Sequence, residues 1–182
     1  MDDVQAAWEL VMLTRGMLVV SVSLLPLIGN AQICQPENIL PTTAHLVDNK
    51  NGTVSDPKTG LIWKRCSEGQ IWNSVTNGCD GSVNPFNTWK YAFKVVQNVN
   101  GGISGQALGH NDWRLPNINE LTSIVEVQCV KPAFNLSVFP STPALTLFWS
   151  STPTLYVSSD YGHDHGSHKD NGGTVRLVRS GP

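Results

Sequence analysis

The sequence predicts a small α+β domain with two helices, short antiparallel strands and disulfide links. Two segments in the first half, at about residues 88–99 and 117–127, have apolar residues at helical spacing. Short β-prone segments bounded by turn signals stand before and after these helices. Because the helices and strands do not alternate regularly, we expect an α+β arrangement and not a parallel sheet built from βαβ units.

The first 31 residues have the features of a signal peptide. Residues 17–28 form an apolar run that is short for a membrane span, Arg15 precedes it, and the small residue Ala31 follows. We therefore predict cleavage before Gln32, export, and no stable membrane span after cleavage. The alternatives are an uncleaved membrane anchor and a buried helix. The rest of the chain is divided into an N-terminal segment (32–47) and a domain (48–182).

The four cysteines all follow the predicted cleavage site. Since exported chains meet oxidising conditions, two disulfides are expected. A four-thiolate zinc site is the alternative, but the close Cys-x-x-Cys spacing typical of such sites is absent from the sequence. Of the three possible pairings we favour Cys66–Cys79, which closes a local loop, together with Cys34–Cys129. The longer link would stabilise the fold by roughly 4–5 kcal/mol on the loop-entropy model.

The charge balance gives no indication of a nucleic-acid partner. Residues 32–182 contain eleven basic and eleven acidic side chains. Nucleic-acid-binding domains usually have a basic excess or a basic patch. We therefore expect no nucleic acid among the partners.

Turn signals define the first elements of the domain. Asn51-Gly52 and Asp56–Gly60 are turn signals, and together with the β-prone segment Leu61–Trp63 they predict a hairpin. Residues 67–87 are predicted to be loop, because Gly, Asn and Pro leave little that could pack. The helix at 88–99 ends at the Asn-Gly-Gly that follows it. Its apolar stripe, predicted to pack in the core, consists of Trp89, Ala92, Phe93, Val96 and Val99.

The run Asp112–Leu121 predicts an extended segment that leads directly into the second helix. Pro116 pushes the preceding residue towards extended geometry. Asn117 can then cap the helix, and Glu120 stands where its side chain can return a hydrogen bond to the backbone of the cap. The helix is predicted over 117–127.

Trp113 and Arg114 have two interpretations. As a binding pair, they could stack on a sugar ring and donate hydrogen bonds to its hydroxyls. As structural residues, Trp113 would lie in the core and Arg114 would hold loop carbonyls with its five donors. We favour the second interpretation, because both residues stand in the run Asp112–Leu121 that leads into the second helix.

The last third of the chain is predicted to contain strands and loops. We expect strands at Leu147–Ser151, Leu155–Val157 and Val175–Arg179. A polar loop rich in Gly, His and Asp, Asp160–Gly173, separates the last two strands. In the final strand one face would contain Val175, Leu177 and Arg179, and the other Arg176 and Val178.

Five ordered blocks of this sequence resemble the Lcl C-terminal domain family. This is the C-terminal domain of a bacterial collagen-like adhesin, and it also occurs as a stand-alone exported domain of unknown function. The resemblance covers about residues 48–180. The blocks are Thr53-Val54, Thr59–Trp63, Asp112–Leu121, Phe148–Ser151 and Val175–Arg179. Their signature residues are Trp63, Trp113, Arg114, Pro116, Glu120 and Trp149.

The resemblance implies a C-type-lectin-like α+β fold and, in the adhesin, binding of sulfated polysaccharide. Related lectin-like domains display variable loops that bind different ligands. This chain has no collagen-like Gly-x-y repeat, and its residues 32–182 have no basic excess. Trimerisation through such a repeat is therefore not expected, and the possibility of another oligomer is left open.

The sequence contains no recognised catalytic motif. The cluster His163–Asp170 combines three imidazoles with two carboxylates, but glycines flank it, so we interpret it as a solvated variable loop without a metal. Glu120 lacks a second carboxylate at a paired spacing, and Ser150-Ser151 lacks the glycines of a nucleophile elbow. All cysteines are expected to be oxidised. No catalytic residue, metal or cofactor is predicted.

These observations predict an exported, non-enzymatic binding domain that is secreted, periplasmic or at the cell surface. Its expected partner is a glycan or another cell-surface macromolecule, bound by the C-terminal loops, since tyrosines and small polar residues suit recognition surfaces. The predicted contacts are Tyr156, Asp160, Tyr161, His163, His165, Arg176 and Arg179. The alternatives are an enzyme of the formylglycine-generating type, which has a related fold, and a structural envelope protein without a specific ligand.

Overall fold

The computed structural model describes residues 32–35, 42–85, 88–103, 106–153, 155–166 and 172–182, and the predicted signal peptide lies outside these ranges. Within them the chain forms two helices and eleven short strands, which confirms the α+β class. In chain order the elements are β1 (Ile33–Cys34), β2 (Val47–Asp48), β3 (Thr53–Asp56), β4 (Leu61–Lys64), β5 (Ile71–Asn73), β6 (Gly78–Asp80), α1 (Trp89–Asn100), α2 (Ile118–Ser123), β7 (Cys129–Val130), β8 (Leu147–Trp149), β9 (Leu155–Ser158), β10 (Asp164–Gly166) and β11 (Val178–Ser180).

The strands pair into four small sheets, and the strand pairs seen in the described ranges are antiparallel. The central sheet has the order β11-β4-β3-β2, so the predicted turns at Asn51-Gly52 and Asp56–Gly60 do join neighbouring strands. The other sheets are β10-β9-β8, β1-β7 and β5-β6. The hairpin β5-β6 lies in residues 67–87, so the loop prediction was wrong there. Strands of three residues are too short to show an alternating pattern.

The central sheet is buried on both faces, because alternate residues pack into two separate core clusters. Trp63 and Val178 lie in one cluster, with α2 residues and the phenylalanines of residues 134–148. Leu177 and the partly buried Ile62 lie in the other, with α1, Trp113 and Trp149. The tryptophans Trp63, Trp113 and Trp149 are among the largest fully buried side chains. Burial of each large apolar side chain contributes roughly 1.5–3 kcal/mol.

Helix α1 starts and stops where the sequence predicts. Thr88 caps it by accepting a hydrogen bond from the Tyr91 backbone N–H at 3.2 Å, and Gly101 follows its last residue. The predicted stripe is partly wrong, since Val95 is buried and the Phe93 side chain is 39% exposed. Positions 92, 95, 96 and 99 form the inward face, and Phe93 lies at its edge. No helix within the described ranges has the length and apolar composition needed to cross a membrane.

Helix α2 has the predicted capping box but is shorter than predicted. The Asn117 side chain accepts from the Glu120 backbone N–H, and the Glu120 carboxylate accepts from the Asn117 backbone N–H. The helix ends at Ser123 and not at residue 127, because Val125 leaves the helix to form an antiparallel bridge with Phe134. Val125 is nevertheless buried, so its apolar character reflects core packing.

Both predicted disulfides are confirmed. Cys34 and Cys129 face each other across the β1-β7 pair, with their Cα atoms 4.0 Å apart. Cys66 and Cys79 are joined with a Cα separation of 5.5 Å. The first link ties residues 32–35 to the segment after α2, and the second holds the β5-β6 hairpin against the end of β4.

The C-terminal segment differs from its predicted alternation. The strand begins at Val178, and residues 175–177 before it do not form part of a strand and are fully buried. The predicted polar loop 160–173 contains β10, which pairs with β9. Its residues 167–171 lie outside the described ranges.

Candidate functional site

The side chains of Trp113 and Arg114 make hydrogen bonds within the domain. Trp113 is 1% exposed, and its indole N–H donates to the backbone oxygen of Ala107 at 2.7 Å. The side chain of Asn100 pairs with both the N–H and the C=O of Trp113, at 2.9 and 2.8 Å. Arg114 donates to Glu120 through both terminal nitrogens and to the backbone oxygen of Leu115. These contacts fit the structural interpretation of the pair.

Arg176 does not belong to a binding surface, so this predicted contact was wrong. The residue is 0% exposed, and its guanidinium lies 4.5 Å from the ring centroid of Phe139 and 5.6 Å from that of Phe148. Burial, and then the charge of Arg65, lower the pKa of Arg176 to about 9, against the opposing effect of Glu68. Arg176 therefore remains a buried cation at neutral pH.

The buried guanidinium of Arg176 donates hydrogen bonds to four acceptors on two other segments of the chain. Nη1 donates to the backbone oxygens of Lys64 and Arg65. Nη2 donates to the hydroxyls of Ser67 and Thr142 at 3.0 and 2.8 Å. If the guanidinium moved out of this site, these buried acceptors would lose their hydrogen-bond donor. Arg176 therefore holds β4 and the loop after it against the turn at residues 139–142.

Asp160 is also wrong as a predicted contact, because it is 7% exposed. Its backbone oxygen accepts from the Lys131 N–H at 2.8 Å, and its backbone N–H donates to the Ser158 hydroxyl at 3.3 Å. These two backbone hydrogen bonds tie the start of the turn between β9 and β10 to Lys131 and Ser158.

The turn between β9 and β10 presents two aromatic rings to solvent on a held backbone. Tyr161 is 53% exposed, His163 is also exposed, and their rings are stacked with centroids 6.5 Å apart and planes 20° apart. The backbone below is held by hydrogen bonds from Ala133 N to Ser159 O and from Gly162 N to Ser158 O, at 2.6 and 2.8 Å. We call residues 158–164 the aromatic turn.

Of the remaining predicted contacts, Tyr156 and His165 lie on β9 and β10, the strands that flank the aromatic turn. Arg179 lies on another strand, β11. Tyr156 is partly buried, with its ring edge-to-face on Trp149 at 6.1 Å. His165 lies opposite Tyr156 in the β9-β10 register. Arg179 lies on β11 and its Nε donates to Asp112 at 2.8 Å. That hydrogen bond from Arg179 lowers the pKa of Asp112, against a smaller effect of burial.

The described residues contain no group of three His, Cys, Asp or Glu side chains placed to hold a metal ion. The predicted His/Asp cluster is only partly described, since His168 and Asp170 lie outside the described ranges. Both disulfides are formed, so the four cysteines carry no free thiol.

Two clefts, one beside α1 and one against the β5-β6 hairpin, were not predicted from the sequence. One is lined by polar residues that include Glu68, Asn84 and Asn98, and the other by Lys64 and Trp72 among others. Their lining residues come from segments far apart in the chain, and no local sequence pattern indicates such a site.

The fold and the aromatic turn define a small disulfide-linked α+β domain, in which Trp63, Trp113 and Trp149 are buried and the exposed turn is held by backbone hydrogen bonds. The model of the family described as Lcl C-terminal domain matches residues 52–179, and the chain therefore belongs to this family. No curated protein and no solved structure matches the chain. The two disulfides are typical of proteins that fold outside the reducing cytoplasm.

Proposed function

We propose that this protein is an exported, non-catalytic binding domain that recognises a glycan or another cell-surface macromolecule at the aromatic turn. The observation that supports this most is the stacked and exposed pair Tyr161 and His163 on a backbone that the scaffold holds. A rigid loop of this kind binds at a low entropy cost, because little has to be ordered when the ligand arrives.

The chemistry of the aromatic turn suits a ligand with both apolar and hydroxyl groups. The faces of Tyr161 and His163 offer apolar contact area, and their polar ring atoms can exchange hydrogen bonds with hydroxyls. Asp164 is exposed next to them and adds an acceptor. We propose a C-type-lectin-like arrangement for the fold of this Lcl C-terminal domain.

Export is the second part of the proposal. The apolar run in residues 17–28, together with two disulfides, supports removal of residues 1–31 and folding in the periplasm, at the cell surface or in the medium. Mass spectrometry of protein recovered after export should show a chain that starts at Gln32. A chain that retains residues 1–31 would contradict this part.

A glycan array tests the binding function directly. Protein recovered after export would be compared with the Tyr161→Ala/His163→Ala variant, which we expect to lose binding while its melting temperature stays unchanged. Phe93→Ala is the matched control, because it removes a partly exposed aromatic ring from another element. Binding that survives in the Tyr161→Ala/His163→Ala variant would place the site elsewhere.

The proposed binding domain is non-catalytic, and a measurement of free thiols distinguishes it from the enzyme alternative. An enzyme of the formylglycine-generating type needs a reactive cysteine or a metal arrangement, whereas Cys66 is joined to Cys79 and Cys34 to Cys129. A thiol titration of native protein should give no reactive cysteine. A titratable thiol in the native fold would favour the enzyme.

A further inference from the structure

Gln106 lines two clefts, one beside α1 and one against the β5-β6 hairpin, so the two clefts are neighbours. The first, of about 230 Å³, lies between α1 and residues 68–69 and 84. The second, of about 240 Å³, lies against the β5-β6 hairpin. Each is smaller than the roughly 300–1,000 Å³ typical of small-molecule sites, whereas the two together fall within that range. A ligand that fills this space has to span both clefts.

The charged groups that line the clefts neutralise each other. Lys64 lines the second cleft and Glu68 the first, and their Nζ and Oε1 atoms are 2.5 Å apart with side chains 3% and 4% exposed. The other described lining residues are uncharged. A charged ligand would therefore lose hydration without meeting an unpaired opposite charge, which disfavours it strongly. The clefts favour an uncharged ligand.

The first cleft offers amide groups that the described part of the chain does not use. Asn84 and Asn98 line it, and neither side chain has a hydrogen-bond partner among the described residues. The Asn98 side chain is half-buried. Gln106 also lines the cleft and already makes an interaction of its own. A primary amide both donates and accepts hydrogen bonds, as a hydroxyl group does. Several amides around one cleft therefore suit a ligand with many hydroxyls.

Each cleft also has an aromatic residue in its lining. Tyr91, 47% exposed, lines the first cleft, with Lys94 Nζ 6.0 Å from its ring centroid. Trp72 lines the second cleft, where its ring packs beside Leu108 over Gly52. Aromatic rings suit molecules that combine an apolar face with polar edges, and a pyranose ring is such a molecule.

We propose that the paired clefts are a binding site for an uncharged oligosaccharide of at least two rings. One ring would lie against Tyr91 and exchange hydrogen bonds with Asn84 and Asn98, and the next would continue past Gln106 towards Trp72. This site is separate from the aromatic turn, and it depends on the proposed function only for the ligand class.

The test uses three uncharged trisaccharides, cellotriose, maltotriose and N,N′,N″-triacetylchitotriose, titrated by calorimetry into protein recovered after export. We expect at least one to bind. Asn84→Ala and Asn98→Ala should each weaken that binding about tenfold, since each removes hydrogen bonds worth roughly 1 kcal/mol or more. Tyr91→Ala should weaken it by a similar factor. Gln97→Ala is the matched control, because Gln97 is exposed on α1 and does not line either of the two clefts.

Four outcomes separate this site from the aromatic turn. Loss of binding in Asn84→Ala and Asn98→Ala, with binding retained in Tyr161→Ala/His163→Ala, supports the cleft site. Loss only in Tyr161→Ala/His163→Ala overturns the cleft site and supports the aromatic turn. Failure of all three trisaccharides to bind overturns the cleft site. Weakening by Gln97→Ala to the same degree as by Asn98→Ala also overturns it, because the effect would then come from the helix and not from its cleft face.

Discussion

Arg114 and Glu120 form a two-point ion pair, in which Nη1 and Nη2 of Arg114 lie 2.8 and 2.7 Å from the two carboxylate oxygens of Glu120. One of these oxygens also accepts from the backbone N–H of Asn117 at 2.8 Å. The hydrogen bond from Arg114 lowers the pKa of Glu120, against the effect of burial. Glu120 thus ties the extended segment before Pro116 to the start of α2, which explains a block that combines arginine, proline and a helix cap.

Replacing Glu120 should therefore destabilise the domain in steps. Glu120→Ala removes both the cap and the ion pair, and we expect a loss of about 1–3 kcal/mol in the free energy of unfolding. Glu120→Gln keeps an acceptor for the cap but loses the charge, so it should cost less. Urea unfolding at pH 7 measures both. Asn119→Ala, an exposed neighbour on the same helix, should stay within about 0.5 kcal/mol of the natural protein.

A second test is how the difference in unfolding free energy between the natural protein and Glu120→Gln changes with pH. Because the folded pKa of Glu120 is lowered, the charged pair stabilises the fold above the ordinary glutamate pKa of about 4.3. That contribution is lost as the pH falls through the folded pKa. The stability gap between the natural protein and Glu120→Gln should therefore close in acid. A gap that stays constant down to pH 3 would contradict the role of the charge.

The block around Trp113 was predictable because its determinants are local. Proline, the cap Asn117 and its partner Glu120 lie within five residues, so spacing alone defines the geometry. The disulfides were predictable for a related reason, since four cysteines leave few pairings and one pair flanks a short segment.

The role of Arg176 could not be read from its surroundings in the sequence. An alternating pattern predicted a strand from residue 175, but the residues before Val178 are buried on all sides, and their hydrogen-bond partners are distant in the chain. Arg176 reaches Ser67, 109 residues away, and Thr142, 34 residues away. The two clefts that share Gln106 are assembled in the same way from separate segments. Such sites depend on tertiary packing, which a local pattern does not report.

Arg176 and Arg179 should respond differently to the same substitution. Arg176→Met leaves backbone oxygens of Lys64 and Arg65 and two hydroxyls without their buried donor, so we expect a loss of about 3–5 kcal/mol or failure to fold. Arg179→Met removes one solvent-exposed ion pair, with Asp112, and should cost much less than Arg176→Met. Thermal unfolding of both variants measures the contrast. Equal losses would show that Arg176 is not the buried junction described above.

Glu126 should make the attachment of residues 42–43 dependent on pH. Its carboxylate accepts from the backbone N–H and hydroxyl of Thr42 at 3.0 and 2.9 Å, and from those of Thr43 at 3.3 and 2.6 Å. Burial raises the pKa of Glu126, but the hydrogen bonds from Thr43 and Thr42 outweigh it, and the net pKa is lowered.

Glu126 therefore stabilises the fold above the ordinary glutamate pKa of about 4.3, and this contribution disappears as the pH falls through its lowered folded pKa. Glu126→Gln should lose roughly 1–3 kcal/mol at pH 7 and little at pH 3. Hydrogen exchange should show faster exchange of the Thr42 and Thr43 amides in this variant. Unchanged exchange of both amides would contradict the tether.

Because residue 162 is a glycine, the aromatic turn can lie close to the core. A comparison of the alanine variants at Gly162 and Gly60 separates the effect of this close packing from the effect of backbone strain. Gly162 and Gly60 both have φ of +71°, so an alanine at either position costs about 1–2 kcal/mol for its left-handed backbone. A Cβ at Gly60 meets nothing within 4 Å, whereas a Cβ at Gly162 would lie 2.3 Å from Val125 Cγ1 and 3.2 Å from Ala133 Cβ. Gly162→Ala should therefore destabilise the domain by about 1–3 kcal/mol more than Gly60→Ala, as measured by urea unfolding.

Because Gly162 stands between Tyr161 and His163, its alanine variant should also weaken the binding of any ligand at the aromatic turn, and Gly60→Ala should not. Equal stability and equal binding of the two variants would show that the turn is not packed on Val125.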